Sequence, residues 1–285
     1  MEIEAYNHIR SGGAGFHEQK RGLIAVWGKE AVQFLDGMIT NDVKTLEDGQ
    51  QMLAAFPNAQ GRLLAVVRVL RQGDRFLFET EEATRERLFQ NLFRFTFAGD
   101  FFVEELSEKY RYFDVFGKAA IAVDGTLKFE GRGADGWFAP IETEIDLEGK
   151  TIDNETFETL RIEAGIPKFG IDMDETTIVP ELGFPEMISY TKGCYVGQEI
   201  IARIHFRGHV AKQLTSLTSD GRIEPGAELT SAEGKPAGRI TSVAHSPKLG
   251  KSAALAFVRY DYLSDGTKLN CGENRVAVTA LPVID

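Results

Sequence analysis

Along the first hundred residues the apolar positions alternate between two periods, which predicts strands and helices following one another. Leu23–Trp27 is a continuous apolar run of strand length. After Gly28 and Lys29 comes the stretch Glu30–Ile39, in which Val32, Leu35, Met38 and Ile39 recur at three- and four-residue spacing, the mark of an amphipathic helix. Gln51–Phe56, Leu63–Leu70 and Arg75–Glu79 read as strands, the last two joined through Gln72-Gly73-Asp74, a turn of hairpin length. A second helix opens near Thr80, with Glu81 and Glu82 suited to the positive end of its dipole and Leu88, Phe89, Leu92 and Phe93 on one face. Phe101–Leu106, Tyr112–Phe116 and Ala119–Val123 are further strand candidates. A helix from about Asn154 to Ala164 is stopped by Gly165 and Pro167. Beyond Gly208 come short β-prone runs separated by Asp220-Gly221, Pro225-Gly226, Glu233-Gly234 and Asp265-Gly266, which predict a small antiparallel barrel or sandwich.

The pattern predicts an α+β chain of three units: a first α+β unit over 1–110, a second over 111–210, and a C-terminal small β-barrel over 211–285. A chain of 285 residues has room for them, since domains commonly run to roughly 100–200 residues. With 43% hydrophobic and 26% charged residues the composition is that of a globular protein rather than a disordered or fibrous one. A formal net charge of −11 opposes contact with nucleic-acid phosphate, so no direct nucleic-acid partner is expected. Arg203, His205, Arg207 and His209 form a local basic patch, read as one strand whose alternative is a solvated face. The start MEIEAYNHIR has neither a basic lead nor a long apolar core, and no apolar run approaches the ~20 residues of a membrane span, so the expected location is cytoplasmic, away from any membrane.

The segment Lys192–Glu199, KGCYVGQE, places one of only two cysteines beside a lysine and between two glycines. Ile200, Ile201, Ala202 and Arg203 continue it as a short helix, with Gly197 near its start and Gln198 and Glu199 in its first turn. Cys194 then lies just upstream of a helix N-terminus, where unpaired backbone N–H groups and the Lys192 ammonium would stabilise a thiolate. The alternative is a small buried cysteine at a tight turn. Cys194 and Cys271 cannot supply a four-thiolate cluster by themselves, so no metal is expected on this chain alone.

KGCYVGQE, followed by Arg203 and by Arg207-Gly208, resembles the signature of the YgfZ-type folate-binding proteins, relatives of the aminomethyltransferase (T-protein) of the glycine cleavage system. Met38-Ile39-Thr40-Asn41-Asp42-Val43 is similar to that family's TNDV-type segment, Gln60-Gly61-Arg62 to its QGR turn, and Arg161-Ile162-Glu163-Ala164-Gly165-Ile166-Pro167 to its RIEAGxP segment. Pro225-Gly226 and Gly238–Ser242 resemble its barrel domain. The resemblance implies an aminomethyltransferase-like folate-binding fold with a C-terminal antiparallel β-barrel, and tetrahydrofolate as ligand. It further implies iron-sulfur client or assembly proteins as partners and a link to tRNA modification. It marks Cys194 and Lys192 as the functional centre, supported by Gly193, Tyr195, Gly197, Gln198, Glu199 and Arg203. Phe157, Arg161, Gln60, Arg62 and Asn41 are the implied folate contacts, with core packing for Phe157 and an Arg161–Glu163 ion pair as the structural alternatives.

Two functions follow from the resemblance: a folate-binding accessory protein for iron-sulfur cluster assembly or repair, or a folate-dependent one-carbon transferase or demethylase. A structural protein with an inert thiol is the third reading. In the transferases the strand after the QGR turn carries an aspartate thought to handle the folate nitrogen, but Gly61–Gln72 here, GRLLAVVRVLRQ, holds no carboxylate for acid–base work. Asp42 and Glu199 remain as substitutes. His205 and His209 are four apart but lack a shared helical face, and Gly12-Gly13-Ala14-Gly15 follows no strand, so it reads as a flexible N-terminal loop and not as a phosphate cradle.

Overall fold

The computed structural model describes residues 1–117, 123–145 and 149–284. The chain begins with a helix the apolar pattern had not marked, α1 (Ile3–Arg10), whose end turns through Gly12-Gly13 into β1 (Gly15–Gln19) and β2 (Arg21–Trp27). There follow α2 (Ala31–Asp36), β3 (Gln51–Pro57), β4 (Leu63–Gln72), β5 (Arg75–Glu81), α3 (Glu82–Phe93) and β6 (Phe102–Glu105). The middle of the chain supplies β7 (Tyr110–Phe116), β8 (Leu127–Phe129), β9 (Asp135–Pro140), β10 (Lys150–Thr151) and α4 (Asn154–Glu163). The strand expected over Ala119–Val123 lies almost wholly outside the described residues. A long irregular stretch then leads to α5 (Gln198–Arg207).

Two five-stranded sheets result, ordered β3-β4-β5-β2-β6 and β10-β1-β7-β9-β8. They interleave along the sequence, because β1, from the first twenty residues, pairs with β7 and β10. The remaining strands, β11 (Lys212–Ser219), β12 (Glu228–Thr230), β13 (Pro236–Ser246), β14 (Lys251–Arg259), β15 (Lys268–Cys271) and β16 (Asn274–Thr279), close a six-stranded antiparallel barrel around Leu217, Leu229, Val258, Val276 and Cys271.

Alternation along the strands decides which face each residue serves. In β4, Leu63, Ala65, Val67 and Val69 are buried; the last three pack under α2 and α3 against Leu35, Ile39, Leu88 and Leu92. Val66 and Arg68 point to the opposite face, as Glu79 and Glu81 do from β5 and Arg21 does from β2. That face is covered partly by the second sheet, through Leu23, Leu77, Tyr112 and Phe138, and partly by residues 169–201, through Met173, Leu182, Met187 and Tyr195. Between the two covers lies an open volume. No helix among the described residues is long and apolar enough to cross a membrane.

Candidate functional site

The volume left between the sheets is a cavity of about 410 Å³. Its apolar walls come from Met52, Leu53, Val66, Met173, Phe184 and Met187, and its polar groups are concentrated on the strands. Strand register explains why. Arg68 of β4 lies opposite Glu79 of β5, while Arg21 of β2 lies opposite Glu81, one alternation further along the same face. Glu79 is fully buried and bonded by both guanidinium groups, with Arg68 Nε 2.7 Å and Arg21 Nε 2.5 Å from its carboxylate oxygens. Burial would raise its pKa, but the charges of Arg21 and Arg68 outweigh burial and hold the carboxyl below its usual range. The second sheet extends the network: Arg68 donates to the Tyr112 hydroxyl at 2.8 Å, and that hydroxyl donates to Asp114 Oδ1 at 2.9 Å. Glu81 differs. Burial pushes its carboxyl upward, opposed only in part by Arg21 and by the Phe169 N–H, which lies 3.1 Å from each of its oxygens.

The strand without a carboxylate is therefore not a cavity without carboxylates. Glu79, Glu81 and Asp114 reach the same space from neighbouring strands, an arrangement set by register that no local spacing in the sequence reveals. Arg21, Arg68 and Tyr112 were likewise not singled out by the sequence. The only signal for them was an arginine in an otherwise apolar strand.

Of the residues singled out, Phe157 and Arg161 line the cavity. Phe157 stands at its wall, stacked on His17 at 4.1 Å. Arg161 does not pair with Glu163. It is buried, 2.9 Å from Asp172 Oδ2 and 2.9 Å from the Ser242 hydroxyl, and so ties α4 to the barrel, while Glu163 is engaged by Tyr6 and Arg10. Gln60 and Arg62 lie outside the cavity lining; their backbone N–H groups donate to the Asn58 side chain in the turn beneath α5.

The 192–199 segment forms a second centre. The Lys192 ammonium is buried and donates to the main-chain carbonyls of Asp36, Ile39 and Asn41 at 2.7, 2.8 and 2.9 Å, with Asp36 Oδ1 at 3.3 Å. Burial lowers its pKa despite the Asp36 charge. All three of its donors are engaged by the Thr40-Asn41 loop and the end of α2, so the ammonium clasps these segments and makes no hydrogen bond to the Cys194 thiol. The amide of Asn41 completes the closure by donating to Leu53 and Glu186 carbonyls. Tyr195 is buried in the core that covers β3 and β4, and Val196 N–H bonds the Gly37 carbonyl. Gly197, at φ 80°, caps α5; a Cβ there would fall 2.4 Å from the Asn58 carbonyl oxygen and 3.1 Å from the Gly61 Cα, so the turn and the helix start require both glycines. Gln198 reaches back to the Gly193 carbonyl at 3.4 Å, and Glu199 pairs with Arg203 on the exposed helix face. Cys194 is exposed on this surface, away from the cavity lining, whereas Cys271 is buried in the barrel. Arg203 lies in the expected short helix, but that helix, α5, runs on to include His205 and Arg207, expected on a strand, and His205 stacks on Tyr190.

The family model of the GCVT N-terminal domain matches residues 2–128, and that of the glycine cleavage T-protein C-terminal barrel domain matches residues 212–283. The chain belongs to the glycine cleavage T-protein family. Within it, the chain is 26% identical over 273 residues to the mitochondrial iron-sulfur cluster assembly factor IBA57 homolog of Mycosarcoma maydis, covering 82% of this chain and 68% of that protein. It is 28% identical over 254 residues to the tRNA-modifying protein YgfZ of Escherichia coli O157:H7, covering 72% of each. An aminomethyltransferase of Bdellovibrio bacteriovorus is 25% identical over 308 residues, covering 93% of this chain and 85% of that protein. The crystal structure of the glycine cleavage aminomethyltransferase T from Bartonella henselae superposes with a TM-score of 0.86 over 99% of this chain and 89% of that one, at 19% identity. That likeness is one of fold.

Proposed function

We propose that this chain is a tetrahydrofolate-binding accessory protein that supports iron-sulfur cluster assembly or repair in client enzymes. The observation that carries the folate part is the cavity. Its volume and mostly apolar lining suit a flat ring system, and the Arg68–Glu79–Arg21 and Tyr112–Asp114 groups supply fixed donors and acceptors for the polar edge of a pterin. Phe157 offers a ring for stacking, and Arg132 at the lining, 3.4 Å from Glu186, is a cation suited to a glutamate tail. Arg161 shapes the wall and Asn41 ties down its rim at Leu53 and Glu186, while Gln60 and Arg62 belong to the turn beneath α5. The iron-sulfur part is supported by the likeness to the cluster assembly factor and by the exposed Cys194 on a segment held rigid by Lys192.

Calorimetric titration with tetrahydrofolate tests the first part, with Arg68→Ala expected to weaken binding about tenfold or more, roughly 1.4 kcal/mol per decade. No binding to the wild type refutes it. For the second part, a strain lacking the gene should lose activity in cluster-dependent enzymes, with Cys271→Ala restoring it and Cys194→Ala not; unchanged client activity in the deletion removes the assignment. Glu81 favours one other reading. A carboxyl raised by burial at a cavity wall is suited to moving a proton, as a folate-dependent aminomethyltransferase or demethylase requires. Turnover of methyl or aminomethyl donors at a catalytic rate, abolished in Glu81→Gln, would establish it.

A further inference from the structure

We propose that His17 is a positioning residue that couples proton binding to occupancy of the cavity through the carboxylate of Asp114; the proposal rests on the folate reading of that cavity. His17 lies on β1 directly opposite Asp114 on β7, beside the cavity lining rather than in it. The ring is buried, and its two nitrogens face different partners. Nε2 is 2.9 Å from Asn154 Oδ1, and because an amide oxygen accepts, we place the proton of the neutral ring on Nε2. Nδ1 then turns a lone pair toward Asp114 Oδ2 at 3.7 Å and has no hydrogen-bond partner. In the neutral state two electron-rich atoms oppose each other in a buried space; in the protonated state an N–H⁺ faces a carboxylate.

The groups facing the ring favour the proton. Asp114 approaches from β7, and Glu158 adds negative charge from α4 at longer range, itself paired with Arg161 and Lys168. Asn154 and Phe157, also from α4, are uncharged. Burial lowers the imidazole pKa, but Asp114, Asn154 and Glu158 together raise it above its ordinary 6.5.

Two connections lead from His17 to the cavity. Its ring stacks on Phe157 at an interplanar angle of 9°, so the orientation of that wall ring depends on the imidazole. Asp114, which lines the cavity, is bonded by Gln19 and by Tyr112, and Tyr112 in turn by Arg68. Loss of the His17 proton therefore sets a lone pair against one end of a chain that runs Asp114–Tyr112–Arg68–Glu79 along the wall. Ligand affinity falls as pH rises through the imidazole pKa.

The test joins calorimetry with tetrahydrofolate from pH 6 to 8.5, on the wild type and His17→Gln, to an NMR titration of the His17 imidazole in ligand-free wild type and Asp114→Asn. The expected result is a Kd about fivefold weaker at the high end for the wild type, or roughly 1 kcal/mol, and a flattened profile for His17→Gln. The imidazole should titrate above 6.5 and move down in Asp114→Asn. A wild-type slope equal to that of His17→Gln, or a His17 pKa unmoved by Asp114→Asn, overturns the proposal. Should tetrahydrofolate bind at no pH while the imidazole titrates as expected, the folate reading fails and takes the coupling with it, leaving the His17–Asp114 proton site established.

Discussion

In the cavity wall, Arg21, Arg68, Glu79, Tyr112 and Asp114 direct their polar ends toward one another and toward an open space, each from a different point in the sequence. In the 192–199 segment, the functional groups are consecutive and divide between inside and outside: Lys192 and Tyr195 are buried, while Cys194 and Glu199 face solvent. The first arrangement leaves side chains available to a ligand within a cavity between the sheets. The second uses side chains to hold backbone, so that one thiol is presented at a fixed place. A contiguous motif is easy to see in a sequence, yet its lysine here serves the fold; the dispersed wall has no motif, yet it gathers a network of charged groups around the buried Glu79.

Removing the clasp should produce the largest change. Lys192→Ala leaves three carbonyls without their buried donor, while Asp36 keeps Lys44, and unsatisfied buried acceptors at about 1–3 kcal/mol each make a loss of several kcal/mol the expected result. Urea unfolding measures it. A cost near zero would mean the ammonium is free to serve Cys194 after all, and the contrast between the two regions would collapse.

The cavity should reveal itself on the acid side of the stability profile. Glu79 carries a folded-state pKa below its unfolded value, so its contribution is fully present above the unfolded carboxyl pKa and is lost as pH falls through the folded one. Urea unfolding between pH 3 and 7 should show stability dropping below about pH 4.5, with a shallower acid limb in Glu79→Gln. Because that variant also leaves Arg21 and Arg68 without their shared anion, its stability at pH 7 should be lower by about 2–4 kcal/mol. An unchanged acid limb would show that the wall does not depend on this ionised carboxylate.

The smallest expected effect is at Cys194. Cys194→Ser, at an exposed site, should alter stability by less than about 0.5 kcal/mol, whereas Cys271→Ser places a hydroxyl in the barrel core and should cost about 1–3 kcal/mol. In the folded protein a thiol reagent should modify Cys194 readily and Cys271 only after denaturation. Equal labelling of the two would contradict the division between presented and buried thiols.

Local pattern determined much of this protein. The α2, α3 and α4 helices, the strands from β2 to β5 and the terminal barrel were legible because each buries a face whose period appears in consecutive residues, and Gly197 marked the start of α5 because a left-handed turn favours glycine. The helix α1 was not legible, since Ala5, Tyr6 and Ile9 find their partners in Phe116, Ile152 and Leu160, far along the chain. The short helix expected through Arg203 extends to Arg207, and His205 and Arg207 read as a strand in the sequence because charge pattern alone does not fix a period. Only the tertiary structure decided which charges meet. Arg68 and Glu79 become neighbours through strand register, His17 and Asp114 through the pairing of the first strand with one almost a hundred residues later, and Lys192 turns from its adjacent cysteine to a loop some 150 residues earlier. Burial in a shared, low-dielectric space gives these contacts their energetic weight, and that burial is a property of the assembled sheets rather than of any segment.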